Sequence, residues 1–285
     1  MTGKSVTQVI QTMQQELKEL YPSSEIRQFA RLLFEHLLGF TSTDLMLKGD
    51  TKLTDSQLNY LQDCLSRLKK SEPIQYIIGD TEFMGLSFQV NPAVLIPRPE
   101  TEELVDWITT SHQDSGLSVL DIGTGSGCIA IAVGHGLNEA QMEAWDISEQ
   151  ALETAKENAR ANDVKVCFRL KDALKDHCPD RQYDIIVSNP PYIRHLEKEQ
   201  MHANVLDYEP HTALFVADNE ALIFYENIAV LGITHLKPGG WLYFEINEGF
   251  GTEMQQLLQA KGYENITLRK DLSGKNRMIR GQRPC

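Results

Sequence analysis

At 285 residues, with 41% hydrophobic and 24% charged side chains, the chain has the composition of a globular protein with room for one large domain and one small one, which excludes disordered and fibrous classes. Its formal charge of -13, from 27 Lys and Arg against 40 Asp and Glu, argues against stable nucleic-acid binding, since such affinity comes largely from cations neutralising phosphates. No apolar run approaches the ~20 residues that span a bilayer, and the first residues lack a signal-peptide core, so a cytoplasmic protein without a membrane partner is expected.

Residues Val6, Val9, Ile10, Met13, Leu17 and Leu20 recur at helical spacing, as do Ile26, Phe29, Leu33, Phe34, Leu37 and Leu38 beyond Pro22. A further helix starts at Thr54, where Gln57 completes a capping box and Leu53 and Leu58 stand at hydrophobic-staple positions. Its stripe of Leu58, Leu61, Leu65 and Leu68 stops before Pro73. Residues 1–75 thus read as a small helical domain, serving either to dock a substrate or to support the rest. Across residues 76–95, Phe83, Leu86, Phe88 and Val90 flank Gly85, the pattern of a short hairpin connecting the domains. The remainder, 96–285, opens with Ile96-Pro97-Arg98-Pro99-Glu100-Thr101-Glu102, a stiff segment feeding an amphipathic helix whose first-turn acids suit the helix dipole. It is either one wall of a site or an ordinary helix start.

From Leu117 strands and helices alternate, which predicts an α/β fold with a doubly wound parallel sheet. The strand Ser118–Ile122 runs into Gly123-Thr124-Gly125-Ser126-Gly127, glycines that allow a tight turn and close backbone approach to a ligand. The next strand ends at Asp146, about 20 residues past the loop, where an acid accepts hydrogen bonds from ribose hydroxyls; Ser148 caps the helix that follows. A third strand (164–170) leads to Asp172 and Ala173, and a fourth through Val187 to Asn189-Pro190-Pro191-Tyr192. Two prolines bar that loop from becoming helix. The alternative is a proline-stiffened turn closing a buried strand. Residues 194–207 read as a polar, mobile insertion. A helix (221–236), a strand launched by Pro238-Gly239-Gly240 (241–246), another helix (252–261) and two strands (265–270 and 277–281) complete the sheet. Within 269–283 six cations face Asp271 alone, either a solvated hairpin face or a partner-docking patch. The five cysteines, Cys64, Cys128, Cys167, Cys178 and Cys285, are odd in number and lack paired spacings. Reduced thiols and no metal site are expected.

Gly123, Thr124, Gly125, Ser126, Gly127, Asp146, Asp172, Ala173 and Asn189 therefore fall at the carboxyl ends of successive strands, where open α/β sheets bind ligands. The third glycine comes one residue early for a dinucleotide fingerprint, so no pyrophosphate is demanded. A nucleoside loop, a ribose acid and a second acid for the adenine edge fit S-adenosylmethionine. The Asn189 side-chain oxygen and the Pro190 carbonyl then offer two acceptors to one NH2 group, with Pro191 stiffening the loop and Tyr192 holding a planar group against its ring. A planar nitrogen is a poor nucleophile, so positioning carries the chemistry. Asn189, Pro190 and Tyr192 are the candidate catalytic residues, without a Cys nucleophile, metal or general base.

These motifs, joined by Pro73-Ile74-Gln75-Tyr76-Ile77-Ile78-Gly79, Glu209-Pro210 and Gly239-Gly240, closely resemble the HemK/PrmC family of peptide chain release factor N5-glutamine methyltransferases. The resemblance covers nearly the whole chain. It implies a Rossmann-like class I methyltransferase sheet behind a small helical domain, and S-adenosylmethionine bound by Gly123 to Gly127, Asp146, Asp172-Ala173 and Asn189. It implies methylation of the glutamine in the Gly-Gly-Gln motif of class I peptide chain release factors, held by Asn189, Pro190, Pro191 and Tyr192. Ala173 stands where family members often carry an aromatic residue, and Asn247-Glu248-Gly249-Phe250-Gly251 replaces a more usual Gln-containing turn. Alternatives are a glutamine methyltransferase of a ribosomal protein, a nucleic-acid adenine N6-methyltransferase and a non-catalytic nucleoside-binding adaptor.

Overall fold

The computed structural model, which describes residues 3–175, 181–201 and 203–285, begins with five helices: α1 (Val6–Leu17), α2 (Ser23–Leu38), α3 (Ser42–Leu47), α4 (Asp55–Leu68) and α5 (Ile74–Ile78). Reciprocal caps start three of them. Ser5 and Gln8 answer each other's backbone N–H at α1, Thr41 and Asp44 do so at α3, and Thr54 and Gln57 at α4, each removing unpaired donors from a helix start. The apolar stripes of α1, α2 and α4 meet in one core with Phe34, Cys64 and Leu68 fully buried. Helices α3 and α5 have no counterpart in the sequence reading because five or six residues are too few for a period to show. Helix α5 buries Ile74 and Ile77 in this same core, so the helical unit extends past residue 75.

The chain divides into two compact units, Met1–Gly79 with Ala203–Tyr208, and Asp80–His202 with Glu209–Cys285. In the second, β1 (Asp80–Phe83) and β2 (Leu86–Gln89) form an antiparallel hairpin around Met84 and Gly85, both at positive φ, as a two-residue hairpin turn requires. This hairpin buries Phe83 and Phe88 in the second unit's core. The elements that follow are α6 (Pro99–Ser111), β3 (Ser118–Ile122), α7 (Cys128–Gly136), β4 (Gln141–Asp146), α8 (Glu149–Ala161), β5 (Val166–Leu170), β6 (Tyr183–Ser188), β7 (Ile193–Arg194), α9 (Ala203–Tyr208), α10 (His211–Leu214), β8 (Phe215–Val216), α11 (Ile223–His235), β9 (Leu236–Glu245), α12 (Gly251–Ala260), β10 (Glu264–Lys270) and β11 (Asn276–Gln282).

Seven strands form the main sheet in the order β10-β11-β9-β6-β3-β4-β5. Five are parallel, and β11 runs antiparallel to both β9 and β10. Side chains alternate between two cores as the pleat requires. Val119, Ile185 and Val187 face the core shared with α6 and α7, whereas Leu120, Ile122 and Ile186 face that of α11 and α12. Because both faces are covered, β3 is buried along its whole length and reads as a continuous run.

The stretch expected as a mobile insertion carries short elements: β7 pairs with β8, a 3-10 turn spans His195–Gln200, and α9 belongs to the helical unit, where the Tyr208 hydroxyl donates to the Lys70 carbonyl at 2.8 Å. Several cations of 269–283 have partners within the chain. Arg277 pairs with Asp271, Lys275 with Glu248, and Arg280 lies over the rings of Trp107 and Trp241. Cys64, Cys128, Cys167 and Cys285 are free thiols, and Cys178 lies outside the described residues. Among the described residues no helix is long and apolar enough to cross a membrane. Ile186 sits fully buried at the middle of β6, so Ile186→Ala is expected to cost about 2 to 5 kcal/mol of stability, measured by urea unfolding.

Candidate functional site

Where β3 ends, Gly123, Gly125 and Gly127 all take positive φ, a backbone that residues with a Cβ adopt only under strain. At Gly127 an added Cβ would also stand 2.9 Å from Ile131 Cδ1 and 3.1 Å from Ala155 Cβ, so the loop can sit down on α8 only without a side chain there. Backbone bonds stitch it to the end of β4. Gly123 and Thr124 N–H both donate to the Trp145 carbonyl at 2.9 Å, and Gly125 N–H donates to Asp146 Oδ2 at 2.8 Å. The buried Asn158 amide holds Ser126 from the other side, donating to its carbonyl at 2.9 Å. Asp146 Oδ1 accepts from Ser148 N–H at 2.9 Å; burial nonetheless raises its carboxyl above the usual range.

Beneath the loop lies a residue that sequence reasoning missed. Asp121 is fully buried in β3. Its Oδ2 accepts from Thr124 Oγ1 at 2.6 Å and from Ala130 N–H at 3.2 Å, while Oδ1 has no partner among the described residues. Desolvation pushes this carboxyl up to about 7 from an ordinary 3.8. A lone acid inside an otherwise apolar strand, two residues before the first glycine, was the available signal. An orphaned carboxyl oxygen under a nucleoside-type loop suits a ligand that brings positive charge or N–H donors.

Asp172 follows β5, whose Leu170 is in register with Asp146. Its carboxylate accepts from Leu174 N–H at 2.9 Å and pairs with Lys175 Nζ at 2.9 Å, and Lys175 lowers its pKa. That arrangement ties it into its own turn, beside Asp146 at the sheet edge. Ala173 packs against the α11–α12 core.

Strand β6 brings the fourth group. Ser188 is in register with Ile122 and donates its hydroxyl to the Ile122 carbonyl at 2.6 Å, so Asn189 leaves the sheet beside Gly123. Asn189 Nδ2 donates to Thr101 Oγ1 at 3.3 Å. Thr101, in the first turn of α6, donates in turn to Glu245 Oε2 at 2.6 Å, and the Tyr192 hydroxyl donates to Glu245 Oε1 at 3.2 Å. Asn247 Nδ2 donates to the Tyr192 carbonyl at 3.4 Å. Glu245, at the end of β9, is 1% exposed; burial raises its carboxyl, opposed by the bond from Thr101 and the charge of Arg277. Burial, reinforced by Glu245, drives the Tyr192 phenol far above its ordinary range, so it remains a donor. The stiff segment before α6 is pinned at its other end by Glu209, whose carboxylate takes Arg98 Nη2 at 2.6 Å and Ile96 N–H at 3.3 Å. Thr101 and Glu245 were also missed. Thr101 lay inside a segment already marked as a wall, and Glu245 stands as a lone acid in an apolar strand.

The structure thus gathers Asn189, Tyr192, Thr101 and Glu245 at one end of the sheet, next to the Gly123–Gly127 loop and Asp146. A cleft of about 690 Å³ lined by Lys156, Arg160, Val166 and Phe168 shares no residue with them.

Comparison with known proteins places this geometry among methyltransferases. Residues 101–212 match the methyltransferase small domain, and residues 8–79 match the PrmC N-terminal domain. A release factor glutamine methyltransferase of Flavobacterium psychrophilum is 46% identical over 93% of this chain and 95% of its own length. One from Bacteroides thetaiotaomicron is 45% identical over 95% and 98%. Among solved structures, a methyltransferase from Pyrococcus furiosus superposes with a TM-score of 0.53 at 15% identity, over 81% of this chain and all of that one, a likeness of fold.

The buried Asp121 generates a signed pH dependence. Between the ordinary 3.8 and about 7 the native chain binds the proton that the unfolded chain releases, so this residue's contribution to stability falls as pH rises through that window. Asp121→Asn, which mimics the neutral acid, should gain about 2 to 3 kcal/mol more relative to the parent at pH 8 than at pH 5. Denaturant unfolding at the two pH values measures this, and a pH-independent difference would contradict it.

Proposed function

The chain belongs to the release factor glutamine methyltransferase family, and from that premise we propose that it transfers a methyl group to the side-chain amide nitrogen (N5) of the glutamine in the Gly-Gly-Gln motif of class I peptide chain release factors. S-adenosylmethionine supplies the electrophilic methyl group. The observation that carries the reading is the Asn189-Pro190-Pro191-Tyr192 loop, anchored through Thr101 and Tyr192 to the buried Glu245 beside a glycine loop with an orphaned acid beneath it. Cytoplasmic residence is part of this proposal. The balance of -13 favours a protein substrate over nucleic acid.

Gly123 to Gly127 let the backbone approach the nucleoside, Asp146 takes the ribose hydroxyls, and the Asp172-Ala173 corner borders the adenine. Asn189 Oδ1 and the Pro190 carbonyl accept the two N–H bonds of the substrate amide, whose own lone pair is delocalised and weakly nucleophilic. As the nitrogen gives its electron pair to the methyl carbon, the methyl–sulfur bond would break and its pair leave on the thioether sulfur of S-adenosylhomocysteine; the nitrogen becomes more positive, so both hydrogen bonds strengthen in the transition state. The amide proton leaves to solvent afterwards. No general base is assigned: Glu245 is buried and accepts from Thr101 and Tyr192. Its task is to hold the loop.

Two measurements check these roles. Asp146→Ala should weaken S-adenosylmethionine binding by about 2 to 3 kcal/mol, the order of a hydrogen bond to a charged acceptor; unchanged affinity by calorimetry would remove Asp146 from the site. Asn189→Ala should lower turnover on a class I release factor by roughly 10² to 10³ while leaving cofactor affinity nearly intact. Turnover within about tenfold of the parent would return the loop to the status of a stiffened turn.

A further inference from the structure

We propose that Thr101, its hydroxyl proton committed to Glu245, is a positioning residue that fixes which end of the Asn189 amide faces the substrate, and so sets the preference for glutamine over glutamate. This rests on the reading of Asn189 as the acceptor for the substrate N–H.

Hydrogen-bond capacity decides the orientation of the amide. A threonine hydroxyl has one proton and two lone pairs, and an ionised carboxylate can only accept. The Thr101 Oγ1 to Glu245 Oε2 distance of 2.6 Å is that of a charge-assisted O–H···O⁻ bond. The proton is therefore spent, and Thr101, itself 2% exposed, has only lone pairs left for Asn189. Of the two ends of that amide, only Nδ2 satisfies a lone pair, and it is Nδ2 that stands 3.3 Å away. Turning the amide over would set Oδ1 against the hydroxyl oxygen, acceptor against acceptor in a buried place. Oδ1 is consequently kept at the end of the planar amide away from Thr101, where a substrate NH2 can donate to it. A turned amide would offer N–H donors instead, and those suit a carboxylate.

The direction of this chain depends on Glu245 remaining ionised. A protonated Glu245 would donate to Thr101, whose freed proton would then select Asn189 Oδ1. Burial, the largest influence, raises the Glu245 carboxyl and Glu100 adds to it, while the donors Thr101 and Tyr192, one on each oxygen, and the charge of Arg277 act the other way. Arg277 is held in place by Asp271 and lies within reach of Glu248. Neither Thr101 nor Glu245 touches the reacting atoms in this account; both act through Asn189.

The test is a pair of substitutions at one position, read on the intact enzyme with a class I release factor and S-adenosylmethionine. Thr101→Val keeps shape and removes the hydroxyl; Thr101→Ser keeps the hydroxyl and removes the methyl. For Thr101→Val, kcat should fall at least ~tenfold, with KM for the release factor and cofactor affinity within about twofold of the parent. Inhibition by a release factor carrying glutamate in place of the acceptor glutamine should tighten by about tenfold, because a freed amide can turn its donors outward. Thr101→Ser should retain turnover within about threefold of the parent. Parent-like kcat and unchanged inhibition in a folded Thr101→Val protein would overturn the proposal, as would a folded Thr101→Ser protein that loses more than about tenfold, an outcome readable even if the valine variant does not fold. If the parent enzyme itself fails to methylate the release factor, the substrate reading falls first and the positioning role falls with it, a result distinct from parental activity that Thr101 variants leave unmoved.

Discussion

A carboxylate taken out of water must be met by donors or lose its charge, and at the end of β9 Glu245 imposes that demand on everything around it. Its donors come from two different elements, Thr101 from the first turn of α6 and Tyr192 from the loop beyond β6, and Arg277 adds its charge from β11. Those groups are far apart in sequence, and burying one acid at the sheet edge fixes them together. Asn189 is attached to this cluster through Thr101. The rigidity of the loop thus has two sources: prolines that restrict its backbone and a buried carboxyl that anchors its side chains.

The other half of the site depends on register. Because Ile122 and Ser188 are paired neighbours in β3 and β6, the glycine loop and Asn189 leave the sheet side by side, and β4 brings Asp146 against the loop from the opposite flank. Two buried acids sit within this frame under unlike conditions. Glu245 has both oxygens engaged, whereas Asp121 keeps one oxygen unanswered and is driven toward its neutral form. Satisfaction at the first makes a stiff wall. The deficit at the second costs stability, because a buried acceptor has no partner among the described residues.

Much of this was legible in the chain. The glycine loop, Asp146 and the Asn-Pro-Pro-Tyr loop are local patterns whose backbone demands fix their place at strand ends, and the strand and helix periods put β3, β4, β6 and α8 within a few residues of where they stand. Short elements were not legible: α3, α5 and the turns between Ile193 and Tyr208 are too brief for periodicity, and the last depend on pairing between β7 and β8. Asp121, Thr101 and Glu245 were missed for a different reason. Each is a polar residue in an apolar run or a helix start, and its meaning comes from a partner up to 144 positions away. Asp172 shows the converse, since its motif position was clear while its carboxylate accepts from Leu174 N–H and pairs with Lys175 in the turn that follows.

Everything at this site turns on whether the acceptor is a glutamine amide presented to Asn189. Peptide mapping by tandem mass spectrometry, after incubating the parent enzyme with S-adenosylmethionine, a class I release factor and bulk RNA and DNA, tests it most directly. The account predicts one methyl group, on the side-chain nitrogen of the Gly-Gly-Gln glutamine, and none when that residue is glutamate. A methyl group on nucleic acid, on another residue of the release factor, or on the glutamate-bearing protein would contradict it.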